Sequence, residues 1–207
     1  MKILAIDTTS EFGSLAVRVD DETKAELSLQ SRDGFGHLLF PAIEEVLAGA
    51  RLRLQDVDCF AGATGPGAFT GVRLDLAAVK GLAEATGKPA VGVSNLRALS
   101  TFGSHENRAV VLDARRTEIF GAVYDAEMRA LSPEIVMKFS AWLATLDLSE
   151  YEFISHDLSL LRPVFEGTRF AEMPLTEAPR PLAAAIAQCA MADGQCGLWT
   201  DPAALDA

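Results

Sequence analysis

The chain has 207 residues, 49% of them hydrophobic, and a formal net charge of −11. That length and apolar content suffice for one ordinary domain or two small ones, each with its own core. The acidic balance disfavours a broad, sequence-independent grip on nucleic acid, which needs Lys and Arg to neutralise phosphates, and the dispersed carboxylates read as a solvated surface. No apolar run reaches the roughly 18 residues that span a bilayer. Met1 leads into KILAID without a basic region or a small-residue cleavage site, so a cytoplasmic protein without membrane contact is the expectation. The three cysteines, Cys59, Cys189 and Cys196, form no CxxC pair, which suggests neither a disulfide framework nor a zinc knuckle. Cys59 lies in an apolar run and reads as a small buried hydrophobe.

In chain order, residues 2–6 (KILAI) predict a short strand. Residues 14–19 alternate with Leu15, Val17 and Val19 on one face, and Ala25, Leu27 and Leu29 repeat the pattern beyond a turn at Asp20-Asp21. Three consecutive strands make a meander. After the turn-rich SRDGFGH, residues 37–50 place Leu39, Ile43, Val46 and Leu47 on one helical face, with Pro41 near the start, where its missing N–H costs least. Residues 57–63 predict a buried strand, GPGAFTGVR a glycine-rich turn, and residues 69–86 a helix striped by Val72, Leu76, Val79 and Ala83. Gly87 stops this helix, and Pro89 lies just beyond. AVGV predicts a strand at 90–93, and Ser94-Asn95 caps a short helix through 102.

The first half therefore reads β-β-β-α-β-α-β-α. A polar stretch at 103–107 marks the boundary expected between a domain at 1–104 and a smaller one at 105–207. Beyond it, AVVLDA and EIFGAVY predict a hairpin through Arg115-Arg116-Thr117. Weaker signals follow for a strand at 134–138, a helix at 140–146, a strand at 152–155 and an alanine-rich helix at 181–192. The halves echo each other, because each opens with an apolar strand ending in Asp (KILAID, VVLDA) and turns into a second strand.

Two constellations can carry chemistry. Asp7-Thr8-Thr9-Ser10, followed by Gly13-Ser14, puts a carboxylate and three hydroxyls on a hairpin tip. Such a set can position Mg²⁺ or touch phosphate oxygens, and the same residue types equally satisfy backbone groups in turns. The second is GPGAFTGVR, with Gly65, Gly67, Thr70 and Arg73 at a strand-to-helix turn, where backbone N–H groups and the helix dipole attract anions. It is not a P-loop, because Gly71-Val72-Arg73 stands where Lys and a hydroxyl residue are required, and the glycine spacing misses GxGxxG by one residue. Pro66 also removes a donor. The residues alone leave anion binding and a scaffold turn equally open, the latter with Phe69 packed and Thr70 or Arg73 tethering the loop. The three histidines, His37, His105 and His156, form no HxxxH or HExxH pair, and each reads as a solvated surface residue. No GxSxG elbow occurs either.

KILAIDTTS followed by GSLAV, the helix LLFPAIEEVL, the run DCFAGATGPGAFTGVRLDLAAVKGLAEATGKPAVGVSNLRAL and VVLDARRTEIFGAVY together resemble the bacterial TsaB (YeaZ-like) family. The likeness covers residues 1–124 strongly and the rest thinly. GPGAFTGVR is its most specific part. The resemblance implies an α/β fold of the actin-like ATPase, sugar kinase and Hsp70 (ASKHA) type, built from two related βββαβα halves, the second degenerate. It also implies a non-catalytic dimerisation and activator subunit in the synthesis of N6-threonylcarbamoyladenosine in tRNAs that read codons starting with A. In that family the catalytic partner is the paralogue TsaD, which carries an HxxxH metal motif, and a small ATPase, TsaE, resets the pair. This chain lacks the HxxxH pair and so looks like the partner. tRNA would be bound only through the complex.

The family pairs through the two helices of its N-terminal half, as a homodimer when alone or with TsaD. On this chain the implied interface residues are His37, Leu39, Ile43, Leu47, Phe69, Val72 and Leu76. Leu38, Leu39, Ile43, Leu47 and Leu76 also exceed what one narrow apolar stripe needs. No intrinsic cofactor is implied, while ATP or ADP with Mg²⁺ at the partner junction is. Two departures stand out. Gly36-His37-Leu38 replaces the family's usual His-Ser-Glu opening of the first helix. The chain also stops soon after Asp201-Pro202, short of the usual Pro-x-Tyr-Leu/Val-Arg ending, so a trimmed C-terminus without the helix that rejoins the first domain is expected. The alternative reading is an active small-molecule kinase or ATPase of the same superfamily, using Asp7, the GPG turn and Asp113. A glycoprotease-type metallohydrolase lacks the metal ligands it would need.

Overall fold

The computed structural model describes residues 1–147, 150–195, 197–199, 201–202 and 205; Cys196 lies outside them. The chain divides into two units, Met1–Ala98 with Pro181–Ala207, and Leu99–Arg180.

In the first unit the meander forms as its alternation predicts: β1 (Lys2–Asp7), β2 (Phe12–Val19) and β3 (Glu22–Gln30) pair antiparallel. β4 (Cys59–Ala63) and β5 (Ala90–Val93) then join parallel to β1, giving the order β3-β2-β1-β4-β5. The parallel strands are buried throughout or nearly so, which accounts for their continuous apolar sequence. Helices α1 (Leu39–Gly49) and α2 (Phe69–Thr86) cover one face. There Leu39, Ile43, Val46, Leu47, Val72, Leu76 and Val79 form a single core with Leu4, Ile6, Leu15, Val17 and Phe60. The end of α2 is set by Gly87, which sits at φ 65° in the left-handed region that glycine adopts freely.

Because strand side chains alternate, Ile3 and Ala5 point to the opposite face of the sheet from Leu4 and Ile6, and they are equally buried. What covers them is α6 (Ala183–Gln195), which packs on β1, β2, β4 and β5. The chain order predicts that this helix belongs to a second half ending at residue 207, with a break near 104. It groups instead with the first unit.

The second unit repeats the pairing pattern. β6 (Arg108–Arg115), β7 (Glu118–Tyr124) and β8 (Ile135–Lys138) form an antiparallel meander, while β9 (Glu152–Ser155) and β10 (Leu175–Glu177) run parallel to β6. The order β8-β7-β6-β9-β10 matches β3-β2-β1-β4-β5, strand for strand. This is the duplication that the two Asp-ended strands hinted at. Its core is aromatic: Phe139 and Trp142 of α4 (Phe139–Thr145) and Phe165 of α5 (Arg162–Phe165) meet Tyr151, Phe153 and Phe170. Neither β10 nor α5 is legible in the sequence, because three or four residues are too few to display a period. Among the described residues, no helix is long and apolar enough to cross a membrane.

Candidate functional site

The site follows from strand direction. β1, β4 and β5 are parallel neighbours, so the segments leaving their carboxyl ends converge at one edge of the sheet. These segments are Asp7-Thr8-Thr9-Ser10, the turn at 65–68 that leads into α2, and Asn95, the first residue of α3 (Asn95–Ser100). Asp7, Thr8, Thr9 and Asn95 are all at least 96% buried.

Many of their polar atoms bond within this cluster. Thr9 donates its N–H and its hydroxyl to Asp7 Oδ1, at 2.9 and 2.6 Å. Asn95 Nδ2 donates to the Thr9 hydroxyl at 2.6 Å, and the Asn95 N–H donates to Gly65 O at 2.7 Å. Thr8 donates its N–H to Asp75 Oδ2 at 3.1 Å, and its hydroxyl oxygen lies 3.0 Å from Gly71 O and 3.1 Å from Asp75 Oδ1. The Ala68 N–H, just before α2, donates to Thr9 O at 2.7 Å. Among the described residues only Asn95 Oδ1 of this cluster is buried without a partner. Ser10 stays outside, closing a small exposed turn with Phe12.

The glycines of the turn serve this close packing. A Cβ at Gly67 would lie 2.6 Å from Thr9, and one at Gly71 only 2.1 Å from Thr8 O. Gly65 has φ 92°, and the Gly65–Pro66 peptide is cis. The tether therefore comes from Thr8 and Thr9. Thr70 and Arg73, expected to hold the loop, are exposed, and Arg73 instead stacks on the Phe69 ring at 3.8 Å from its centroid. A phosphate cradle needs free donors aimed outward, and Mg²⁺ needs free oxygens. The Thr8 and Thr9 hydroxyls and Asp7 Oδ1 already have partners within the fold, which favours the scaffold reading of this turn.

Of the seven expected interface residues, Leu39, Ile43, Leu47, Val72 and Leu76 are no more than 8% exposed and belong to the core. The period identifies the apolar side of each helix correctly, but that side is consumed by the sheet. His37 and Phe69 are exposed, Phe69 at 68%, and the sequence reading missed Phe40 on α1, exposed at 57%. Asp113 is exposed at the β6–β7 hairpin and accepts the Arg115 N–H. His105 is a surface residue as expected, whereas His156 is half-buried beside the Ala178 carbonyl, and burial lowers its pKa.

The residue that the sequence reading missed altogether is Asp75. It lies three residues after Val72 and four before Val79, on the apolar stripe of α2, and is fully buried. A carboxylate on that stripe was the available signal. Burial raises the pKa of both Asp7 and Asp75, and for Asp75 the negative charge of Asp7 adds to the effect. Ser14, paired across from Asp7, is also fully buried, and its Oγ accepts the Leu182 and Ala183 N–H groups at the start of α6.

Two mixed five-stranded sheets of matching order, with the loops of three parallel strands converging in the first, define an actin-like α/β protein. The backbone superposes with a TM-score of 0.55 at 9% identity on the activator of the 2-hydroxyisocaproyl-CoA dehydratase from Clostridium difficile, covering 95% of this chain and 97% of that one. YeaZ from Pseudomonas aeruginosa is much nearer, with a TM-score of 0.83 at 25% identity over 98% of this chain and 96% of that one. The Escherichia coli tRNA threonylcarbamoyladenosine biosynthesis protein TsaB is 30% identical over 80% of this chain and 83% of its own length. The family model described as TsaD: tRNA N6-adenosine threonylcarbamoyltransferase matches residues 33–192. The chain belongs to the TsaB (YeaZ) family, within the wider grouping that this model describes.

Proposed function

We propose that this chain acts in tRNA N6-threonylcarbamoyladenosine synthesis as a non-catalytic subunit, activating a TsaD-type catalytic paralogue in the cytoplasm together with a TsaE-type ATPase. The name of the Escherichia coli relative supports the pathway. The observation that supports the non-catalytic role is that the Thr8 and Thr9 hydroxyls and Asp7 Oδ1 are hydrogen-bonded within the fold, where they hold the loop and not a reacting phosphate. Pairing with the paralogue, or with a second copy when alone, uses the outer surface of α1 and α2, where Phe40 and Phe69 are exposed. On this reading ATP or ADP with Mg²⁺ belongs to the junction with the partner, and tRNA is held through the complex.

Reconstitution tests this. The chain, a TsaD-type paralogue and a TsaE-type ATPase are expected to co-elute and to modify tRNA, with modification lost when this chain is omitted. If the chain alone hydrolysed ATP at ordinary enzyme turnover, about 1 s⁻¹ or faster, the kinase or ATPase reading would replace this one.

A further inference from the structure

The cluster contains two fully buried aspartates, and among the described residues no cationic side chain pairs with either. Two uncompensated carboxylates in an apolar interior are strongly disfavoured, and the usual resolution is that one retains a proton. The hydrogen bonds indicate which. Asp7 Oδ1 accepts the Thr9 N–H and stands 2.6 Å from the Thr9 hydroxyl. Because Asn95 Nδ2 already donates to that hydroxyl, its own proton is directed to Asp7. Asp7 Oδ1 thus accepts two protons and is asked to donate none, which suits an ionised carboxylate.

Asp75 is placed differently. Its Oδ2 accepts the Thr8 N–H, but its Oδ1 faces the Thr8 hydroxyl, which has one proton and a second, slightly nearer oxygen, the Gly71 carbonyl. The carbonyl can only accept. With the Thr8 proton given to Gly71 O, the remaining contact joins two oxygens and needs a proton from Asp75. We propose that Asp75 is a neutral carboxylic acid at neutral pH, donating its Oδ1 proton to Thr8 Oγ, and that in this form it positions the β1 loop against α2.

The electrostatics agree in direction. Burial is the largest cause raising the Asp75 pKa, and Asp7 on β1 is the charged group facing it; the Thr8 donors and the Ala63 N–H of β4 oppose the rise. The folded state holds this proton more tightly than the unfolded chain, whose aspartate has its ordinary pKa of 3.8. The contribution to stability is therefore complete below that value and is lost as pH rises through the raised pKa of Asp75.

The test is a pH titration of the chain carrying ¹³C at the aspartate carboxyl carbons, followed by NMR. One carboxyl is expected to remain protonated at neutral pH, to titrate in the alkaline direction, and to be missing from the spectrum of Asp75→Asn. Finding every aspartate ionised at neutral pH would overturn the assignment, and so would a protonated signal that persists in Asp75→Asn. Should that variant fail to fold, Asp7→Asn supplies the second measurement. Removing the neighbouring charge must move the Asp75 midpoint down, and an unmoved midpoint defeats the proposal.

Discussion

An added methyl group at Gly71 would lie 2.1 Å from the carbonyl oxygen of Thr8, which is backbone and cannot swing aside. Gly81, on the same helix, has nothing within 4 Å of the corresponding position. Helix propensity favours alanine over glycine by about 1 kcal/mol at both, so the sign of the net effect is set by space. Gly81→Ala is expected to stabilise the chain by about 0.5–1 kcal/mol. Gly71→Ala should destabilise it by about 1–3 kcal/mol or more, as overpacking does. Urea denaturation of both variants measures the pair, and equal effects would mean that the β1 loop yields easily to α2. The same scale exposes a limit of sequence reading. GPGAFTGVR was recognisable as a strand-to-helix turn, but whether its glycines admit a phosphate or a neighbouring backbone depends on Thr8 and Thr9, distant in sequence.

At the scale of elements, α1 and α2 show what periodicity does and does not convey. The spacing of Leu39, Ile43 and Leu47, and of Val72, Leu76 and Val79, predicts two amphipathic helices, and the structure has them with nearly the expected bounds. Periodicity says that one side is apolar without saying what covers it. Here β1, β2 and β4 take that side, so surface for a partner is left to side chains off the stripe. Phe69→Glu should therefore leave folding nearly unchanged. It removes only the stacking of Arg73 on an exposed ring, worth about 0.5–1 kcal/mol, yet it should abolish pairing in sedimentation with the TsaD-type paralogue. Leu39→Ala should cost about 2–5 kcal/mol of stability through loss of core packing. Unimpaired pairing of Phe69→Glu would move the interface elsewhere.

At the scale of the whole molecule, the first unit is closed by a segment from the far end of the chain. The Ser14 hydroxyl receives the Leu182 and Ala183 N–H groups, so β2 caps a helix more than 160 residues downstream. Ser14→Ala should cost about 1–2 kcal/mol, as the loss of an N-cap does, which for a chain of this size lowers Tm by roughly 2–8 °C. Scanning calorimetry reads it; an unchanged Tm would show that the cap contributes nothing. No local pattern announces this bond, because it joins residues related only through the fold.

The sequence by itself determined the meanders, the two long helices, the repeated Asp-ended strand and the family, because these rest on short-range periods and on one nine-residue turn. Tertiary structure alone decided that α6 belongs with the first unit, that five of seven expected interface residues are core, and that Asp7 shares its interior with Asp75. The reason is physical: amphipathicity and turn chemistry act between near neighbours in the chain. Burial, close backbone approach and the sharing of a proton depend instead on which distant segments the parallel strands bring to one edge.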